Sequence, residues 1–258
     1  MSRAAALFWD TGGELPDDAG YALFSAEHLA ILASLAALTV LCLHMYGRMN
    51  RKQQNRMCTV TAFLLPVMEG VKLLFLGISG ENLLYWLPLH FCSLSIYLYP
   101  AAALSHGKRR AALGEIAAVL LLPAAAAALL FPDWTRYPFW NFLSLHSYAW
   151  HFLQLLFPLL LLEDGTVLPR VRNAWKSMAF TAAAFVPVYL FDRAENTNYF
   201  FVMQPVPGTP LETLWNTFGE TFYIPALYGL VCICILGMYL IYGLAGKIRA
   251  AKTADRRK

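Results

Sequence analysis

Residues 83–104 read LLYWLPLHFCSLSIYLYPAAAL, without an Asp, Glu, Lys or Arg among them. About 20 consecutive apolar residues cross a bilayer as a helix, so this stretch predicts a membrane span. Four polar side chains nevertheless lie inside it: His90, Cys92, Ser93 and Ser95. Ionisable groups at membrane depth are costly and face the protein interior. The stretch therefore predicts a span that carries part of a buried polar site.

The rest of the chain repeats the pattern. Of 258 residues, 59% are hydrophobic and only 14% charged, against about 25% charged in a soluble domain. Seven spans are expected at about 26–46, 58–79, 83–105, 112–131, 141–162, 174–191 and 219–245. The fold class is an all-α polytopic helical membrane protein. Strand-period alternation is absent, which excludes a membrane barrel. Residues 1–25 contain one Arg, four acids and no apolar core. They read as an extracytoplasmic segment, not a cleavable signal. Residues 26–245 form the seven-helix domain, and 246–258 a basic cytoplasmic tail.

Cation placement orients the spans. The segments 47–57, 106–111, 163–176 and 246–258 hold four, three, three and six Lys or Arg. The N-terminal tail and the segments 80–82, 132–140 and 192–218 hold one, none, one and one. Sixteen against three, in strict alternation, fits an odd number of spans. The positive-inside rule then predicts the N-terminus outside and the C-terminus in the cytoplasm of a plasma-membrane protein. The cytoplasmic loops also read as contacts for anionic lipids.

One proline falls in each span from the second onward: Pro66, Pro88, Pro123, Pro158, Pro187 and Pro225. Each removes a backbone donor and tends to bend its helix, and six bent helices in succession are expected to surround a cavity. The long connection 192–218 is aromatic and proline-rich and is placed to cap one. Its neighbours Asn198 and Glu220, at the outer ends of spans six and seven, are candidate substrate-binding residues.

The remaining polar side chains converge in depth. Glu69 and Lys72 are three apart on span two, where they can pair. Span five carries Asn141, His146, His151 and Gln154. At roughly 1.5 Å per residue, His90, Cys92, His146, His151 and Glu69 permit one cluster in the outer half of the bilayer. On a continuous helix His90 and Cys92 point to different faces, so any base for Cys92 comes from another helix. His151 is at the best depth. A thiol needs such a base, because the thiolate is the nucleophile. The five cysteines are an odd number and imply no disulfide framework. There is no Gly-rich phosphate loop, no Gly-x-Ser-x-Gly elbow, no His-Glu-x-x-His and no support for nucleic-acid binding.

Four segments together resemble a known family: MEGVK (68–72), LPLH (87–90), HFLQLLFPLLLLEDG (151–165) and NYFFVMQP (198–205). The chain is similar to the YwaF-like bacterial membrane proteins and the transmembrane protein 164 family, from span two to span seven. The resemblance implies acyl transfer between membrane phospholipids or lysophospholipids, with no cofactor. It implies site roles for the Pro-x-His histidine, His90, and for the histidine ahead of a proline, His151. In the family's pattern a nucleophilic cysteine directly precedes the Pro-x-His histidine, where this chain has Leu89. Cys92, three residues later, is the candidate that takes its place.

Three functions follow as expectations. The first is an intramembrane lipid acyltransferase or transacylase with catalytic His90, Cys92, His151 and Glu69 and with Lys72, His146, Asn198 and Glu220 around the substrate. The second is a metal-dependent lipid hydrolase with His90, His146, His151 and Glu69 as ligands. The third is a proton-coupled transporter or solute-binding protein.

Overall fold

The computed structural model describes residues 3–13, 15, 16 and 18–255, with side chains described for 5–246 of these. The basic tail therefore lies almost wholly outside the described side chains. Among the described residues the structure is helical, with no strand: α1 (Arg3–Trp9), α2 (Ala26–Arg48), α3 (Arg51–Ile78), α4 (Ser95–Leu104), α5 (Gly107–Ile116), α6 (Leu122–Leu130), α7 (Phe142–Glu163), α8 (Ala174–Glu195) and α9 (Pro210–Asp255). Six helices are long and apolar enough to cross a membrane: Ala26–Arg48, Arg51–Ile78, Gly107–Leu130, Phe142–Glu163, Val171–Glu195 and Pro210–Gly246. Their outer faces are bare hydrocarbon; Val40 is 67%, Leu74 64% and Ile78 78% exposed. Apolar surface on that scale is a liability in water and ordinary against lipid.

The third expected span is different. No continuous helix runs from 83 to 105. A 3₁₀ turn at Leu83–Tyr85 gives way to non-helical residues 86–90, and a second 3₁₀ turn at Phe91–Leu94 leads into α4. The apolar helix that results is Phe91–Leu104, shorter than a span. Pro88 accounts for the break, since it lacks an amide and drives the residue before it out of the helical region. The helical angles and depths that relate Leu89, His90 and Cys92 therefore do not apply. Non-helical backbone at membrane depth occurs only where protein buries it or water reaches it, which marks this segment as special.

Other boundaries shift for local reasons. The fourth span begins at Gly107 and passes through a π-helical turn, Ala117–Leu121, just before Pro123. The wider turn accommodates a proline ring that an α-helix would drive into the carbonyl four residues earlier. Helix α9 starts at Pro210 but breaks at Gly219, whose φ of 70° and ψ of 171° are not helical. Its long apolar part thus starts where span seven was expected.

The chain divides into two compact units. One comprises Met1–Pro88 with Cys92–Val167, and the other Leu89–Phe91 with Leu168–Lys258. In the first, α3 packs on α4 and α7, while α2 and α6 also lie on α7. In the second, α8 packs on α9 and on the 3₁₀ turn Tyr199–Phe201.

The N-terminal segment is folded onto the first unit. Asn141 caps α7 through its side-chain oxygen, which accepts from the Leu143 amide, and its Nδ2 donates to the carbonyls of Leu7 at 2.8 Å and Asp10 at 3.0 Å. Trp9 packs against Phe75 and Phe142, each at 5.5 Å between ring centroids. The Tyr21 amide donates to the Thr135 carbonyl. A Cβ at the neighbouring Gly20 would collide with that same carbonyl, so the close approach requires glycine.

Candidate functional site

The first unit assembles most of the candidate residues. On α3 the Lys72 ammonium lies 2.8 Å from Glu69 Oε1, with the Glu69 side chain 4% exposed and that of Lys72 18%. The spacing of three residues places both on one helix face. Glu69 Oε1 is buried and pairs with this ammonium.

Helix α7 presents a polar stripe. Ser144, Ser147, His151 and Gln154 recur at three- and four-residue intervals and so share a face. His151 Nδ1 donates to the Ser147 carbonyl one turn back, at 2.8 Å. In the neutral ring, with the proton on Nδ1, Nε2 carries the lone pair. The ring stacks on Trp134, 5.0 Å away and tilted by 16°. His146 makes the complementary choice: Nε2 donates to the Met68 carbonyl on α3 at 3.1 Å, and Trp150 stacks on the ring.

Cys92 sits half-buried in the turn that opens α4. Its carbonyl accepts from Ser95 Oγ at 2.8 Å and from Gln154 Nε2 at 3.1 Å. Gln154 itself is fully buried, and its Oε1 has no donor. The Ser144 hydroxyl higher on the stripe is likewise buried without a partner.

The second unit holds His90, Asn198 and Glu220. Tyr199 packs edge-on against the His90 ring at 4.7 Å, and Phe201 lies 6.3 Å from it. The loop bearing these aromatics is strained: Phe200 and Phe201 have φ of 56° and 57°. Left-handed backbone costs a non-glycine residue roughly 1–2 kcal/mol, so other contacts must hold it. Asp192 Oδ1 accepts from Thr197 Oγ1 at 2.6 Å and from the Tyr199 amide at 3.0 Å. The Tyr223 hydroxyl donates to the Phe201 carbonyl. Asn198 accepts from the amides of Met203 and Gln204 and donates to the Gln204 carbonyl, so its amide is engaged in shaping the loop. Glu220 is exposed, immediately after the break at Gly219. A cleft of about 610 Å³ in this unit is lined by residues that include Gly208, Glu212, Leu214 and Leu230. None of the candidate residues lines it.

A model of the TMEM164 family matches residues 23–242, most of the chain. The chain belongs to the TMEM164 family. No curated protein and no solved structure matches it. The family match begins at residue 23, so the N-terminal segment docked through Asn141, Trp9 and Gly20 lies outside it. At that docking point the Tyr137 hydroxyl donates to the Thr11 carbonyl and accepts from Arg136 Nη2. Burial pushes the Tyr137 phenol up, and the neighbouring guanidinium opposes that.

Within this TMEM164-family chain, three site neighbours escape a sequence reading. Trp134 and Tyr99 belong to no motif, and Asp192 reads as a helix-end charge. Gln154 was visible, three residues after His151 and one turn before Pro158, but nothing linear connects it with Cys92. Among the described residues no three His, Cys, Asp or Glu side chains converge as metal ligands.

Proposed function

We propose that this protein is an intramembrane lipid acyltransferase or transacylase, in which Cys92 is the nucleophile and His151 the base. The observation that carries the proposal is the pairing of two features in one unit. A half-buried thiol opens an apolar helix just after a non-helical break, and a histidine whose Nδ1 is bonded to the Ser147 carbonyl presents Nε2 as the acceptor of its neutral ring. Cysteine nucleophiles need such a base.

In the first step Cys92 Sγ attacks the ester carbonyl of a donor phospholipid. The C–S bond forms and the C–O bond breaks. The thiol proton passes to His151 Nε2 and on to the departing lysolipid oxygen. In the second step the hydroxyl of a lysophospholipid attacks the thioester, its proton passes to His151 Nε2, and Cys92 leaves and regains that proton. Lys72 is the candidate cation for an oxyanion, with Glu69 balancing its charge, and His146 stays a substrate-side candidate. His90 keeps the role that the family pattern implies, and Asn198 and Glu220 remain substrate-side candidates. We place the protein in the plasma membrane with its N-terminus outside, its basic loops against anionic cytoplasmic lipids.

Reconstituted protein supplied with an isotope-labelled phospholipid and an unlabelled lysophospholipid tests this. Label should appear on the acceptor, and intact-protein mass spectrometry should find an acyl adduct at Cys92 that hydroxylamine removes. Full transfer by Cys92→Ala would refute the covalent route. Absence of transfer with altered solute uptake would favour the transporter.

A further inference from the structure

We infer that Trp134 is a positioning residue for His151, and that the N-terminal segment holds Trp134 in place through Tyr21. The inference deepens the reading of His151 as base and rests on it.

An imidazole serves as a base at one defined place only if its plane is fixed as well as its proton. His151 Nδ1 donates to the Ser147 carbonyl at 2.8 Å, which selects the tautomer of the neutral ring. The torsion about the Cβ–Cγ bond of a histidine is soft, so one hydrogen bond leaves the ring room to turn. The indole of Trp134 removes that room. It lies nearly parallel to the imidazole, with centroids 5.0 Å apart and planes 16° from each other. Trp134 is itself buried, and its Nε1 has no hydrogen-bond partner among the described residues. The indole is therefore held by ring contacts and by the backbone of its loop, not by its N–H.

Those holds converge from two sides. Tyr148, three residues before His151 on α7, packs edge-on against the indole at 5.4 Å and 84°. Its hydroxyl shares a 2.5 Å hydrogen bond with the hydroxyl of Tyr21. The Tyr21 amide also donates to the Thr135 carbonyl at 2.9 Å, directly after Trp134, and a Cβ on Gly20 would collide with that oxygen. At the other end of the loop the Tyr137 amide closes a turn onto the Trp134 carbonyl at 3.1 Å. The Tyr137 hydroxyl donates to the Thr11 carbonyl at 2.9 Å. The N-terminal segment thus grips the Trp134 loop at Thr11 and again at Tyr21, and Tyr21 reaches the ring that backs the indole as well. The family match starts at residue 23, so residues outside it supply this hold.

An aromatic pair of this kind favours the stacked arrangement about fivefold over its alternatives. A ring that turns away from the Ser147 carbonyl loses that bond, and with it the reason to keep its proton on Nδ1. The test is nitrogen NMR of the purified full chain, isotope-labelled at histidine, in lipid nanodiscs with no lysophospholipid added. At a pH of about 8, above the ordinary imidazole range, ring-nitrogen shifts tell the two neutral tautomers apart. His151→Asn and His146→Asn assign the signals. Trp134→Leu keeps an apolar filler but removes the flat face. It should lower the ratio of Nδ1- to Nε2-protonated His151 about fivefold and leave His146 on Met68 as it was. Trp134→Phe keeps a flat face and should stay within about twofold of wild type. Tyr21→Phe removes only the hydroxyl pair with Tyr148. It should move the His151 ratio the same way by about threefold, and it serves if the Leu variant does not fold. A merely structural role predicts no change at His151, or an equal change at His146 because general loosening frees both rings. Either result overturns the inference, and an unchanged His151 in Tyr21→Phe overturns the part assigned to the N-terminal segment. Because a tautomer and not acyl transfer is measured, failure of the acyltransferase reading shows separately, in the lipid assay of Cys92→Ala.

Discussion

The Tyr99 hydroxyl donates to the Gln154 carbonyl at 2.7 Å, at the one carbonyl of α7 that Pro158 leaves without its helical donor. A proline in one membrane helix is thereby tied to a tyrosine in another. Buried carbonyls need donors, and an acceptor left bare costs about 1–3 kcal/mol.

Tyr99→Phe should therefore destabilise the protein by about 1–3 kcal/mol. In a Pro158→Ala background the helix regains its own amide, and the same substitution should cost much less. Unfolding in mixed micelles measures all four variants. Equal cost in both backgrounds would mean that the hydroxyl does not compensate for the proline.

Glu69 and Lys72 should behave as a unit. Removing one partner of a buried pair typically costs about 3–5 kcal/mol because an unpaired charge remains. Glu69→Gln alone should lower folded yield more than Glu69→Gln with Lys72→Met, scored by monodisperse protein after extraction. A double variant as poor as the single one would shift weight to a direct role for Glu69.

The left-handed pair Phe200 and Phe201 should depend on Asp192. Asp192→Ala removes the acceptor of both the Thr197 hydroxyl and the Tyr199 amide, and each buried donor left bare costs about 1–3 kcal/mol. Limited proteolysis should then cut within residues 196–208 at least several-fold faster. Asp192→Asn keeps an oxygen acceptor and should sit between wild type and Ala. Unchanged cleavage in the Ala variant would count against this clamp.

Asn141→Ala should release the N-terminal segment. It removes the α7 cap, typically about 1 kcal/mol, together with the donor to Leu7 and Asp10. Hydrogen exchange at residues 5–12 should rise while exchange along α3 stays as it was. Equal protection in both proteins would show that Trp9 packing alone suffices.

The sixteen-to-three distribution of cations predicts a cytoplasmic C-terminus. A reporter fused after the last residue should be active only in the cytoplasm. Activity only on the other side would reverse every depth argued for Glu69, His146 and His151.

Sequence alone determined the features that depend on composition and local period. Apolar length set the spans, because a bilayer accepts only closed backbone hydrogen bonding over about 20 residues. Spacing by three set the Glu69–Lys72 pair, because helix geometry puts those positions together whatever surrounds them. The motifs around His90 and His151 were enough to reach the family. Tertiary structure decided the rest. LPLH reads as the middle of a helix by hydropathy, yet around Pro88 its backbone is non-helical. Asn141, placed inside a span by polarity counting, is a cap that anchors the N-terminal segment. The hydrogen bonds by which Asn198 shapes its own loop are likewise set by the fold. Gln154 became a neighbour of Cys92 only through the fold, where its Nε2 donates to the Cys92 carbonyl, and no linear pattern encodes a contact between residues 62 positions apart.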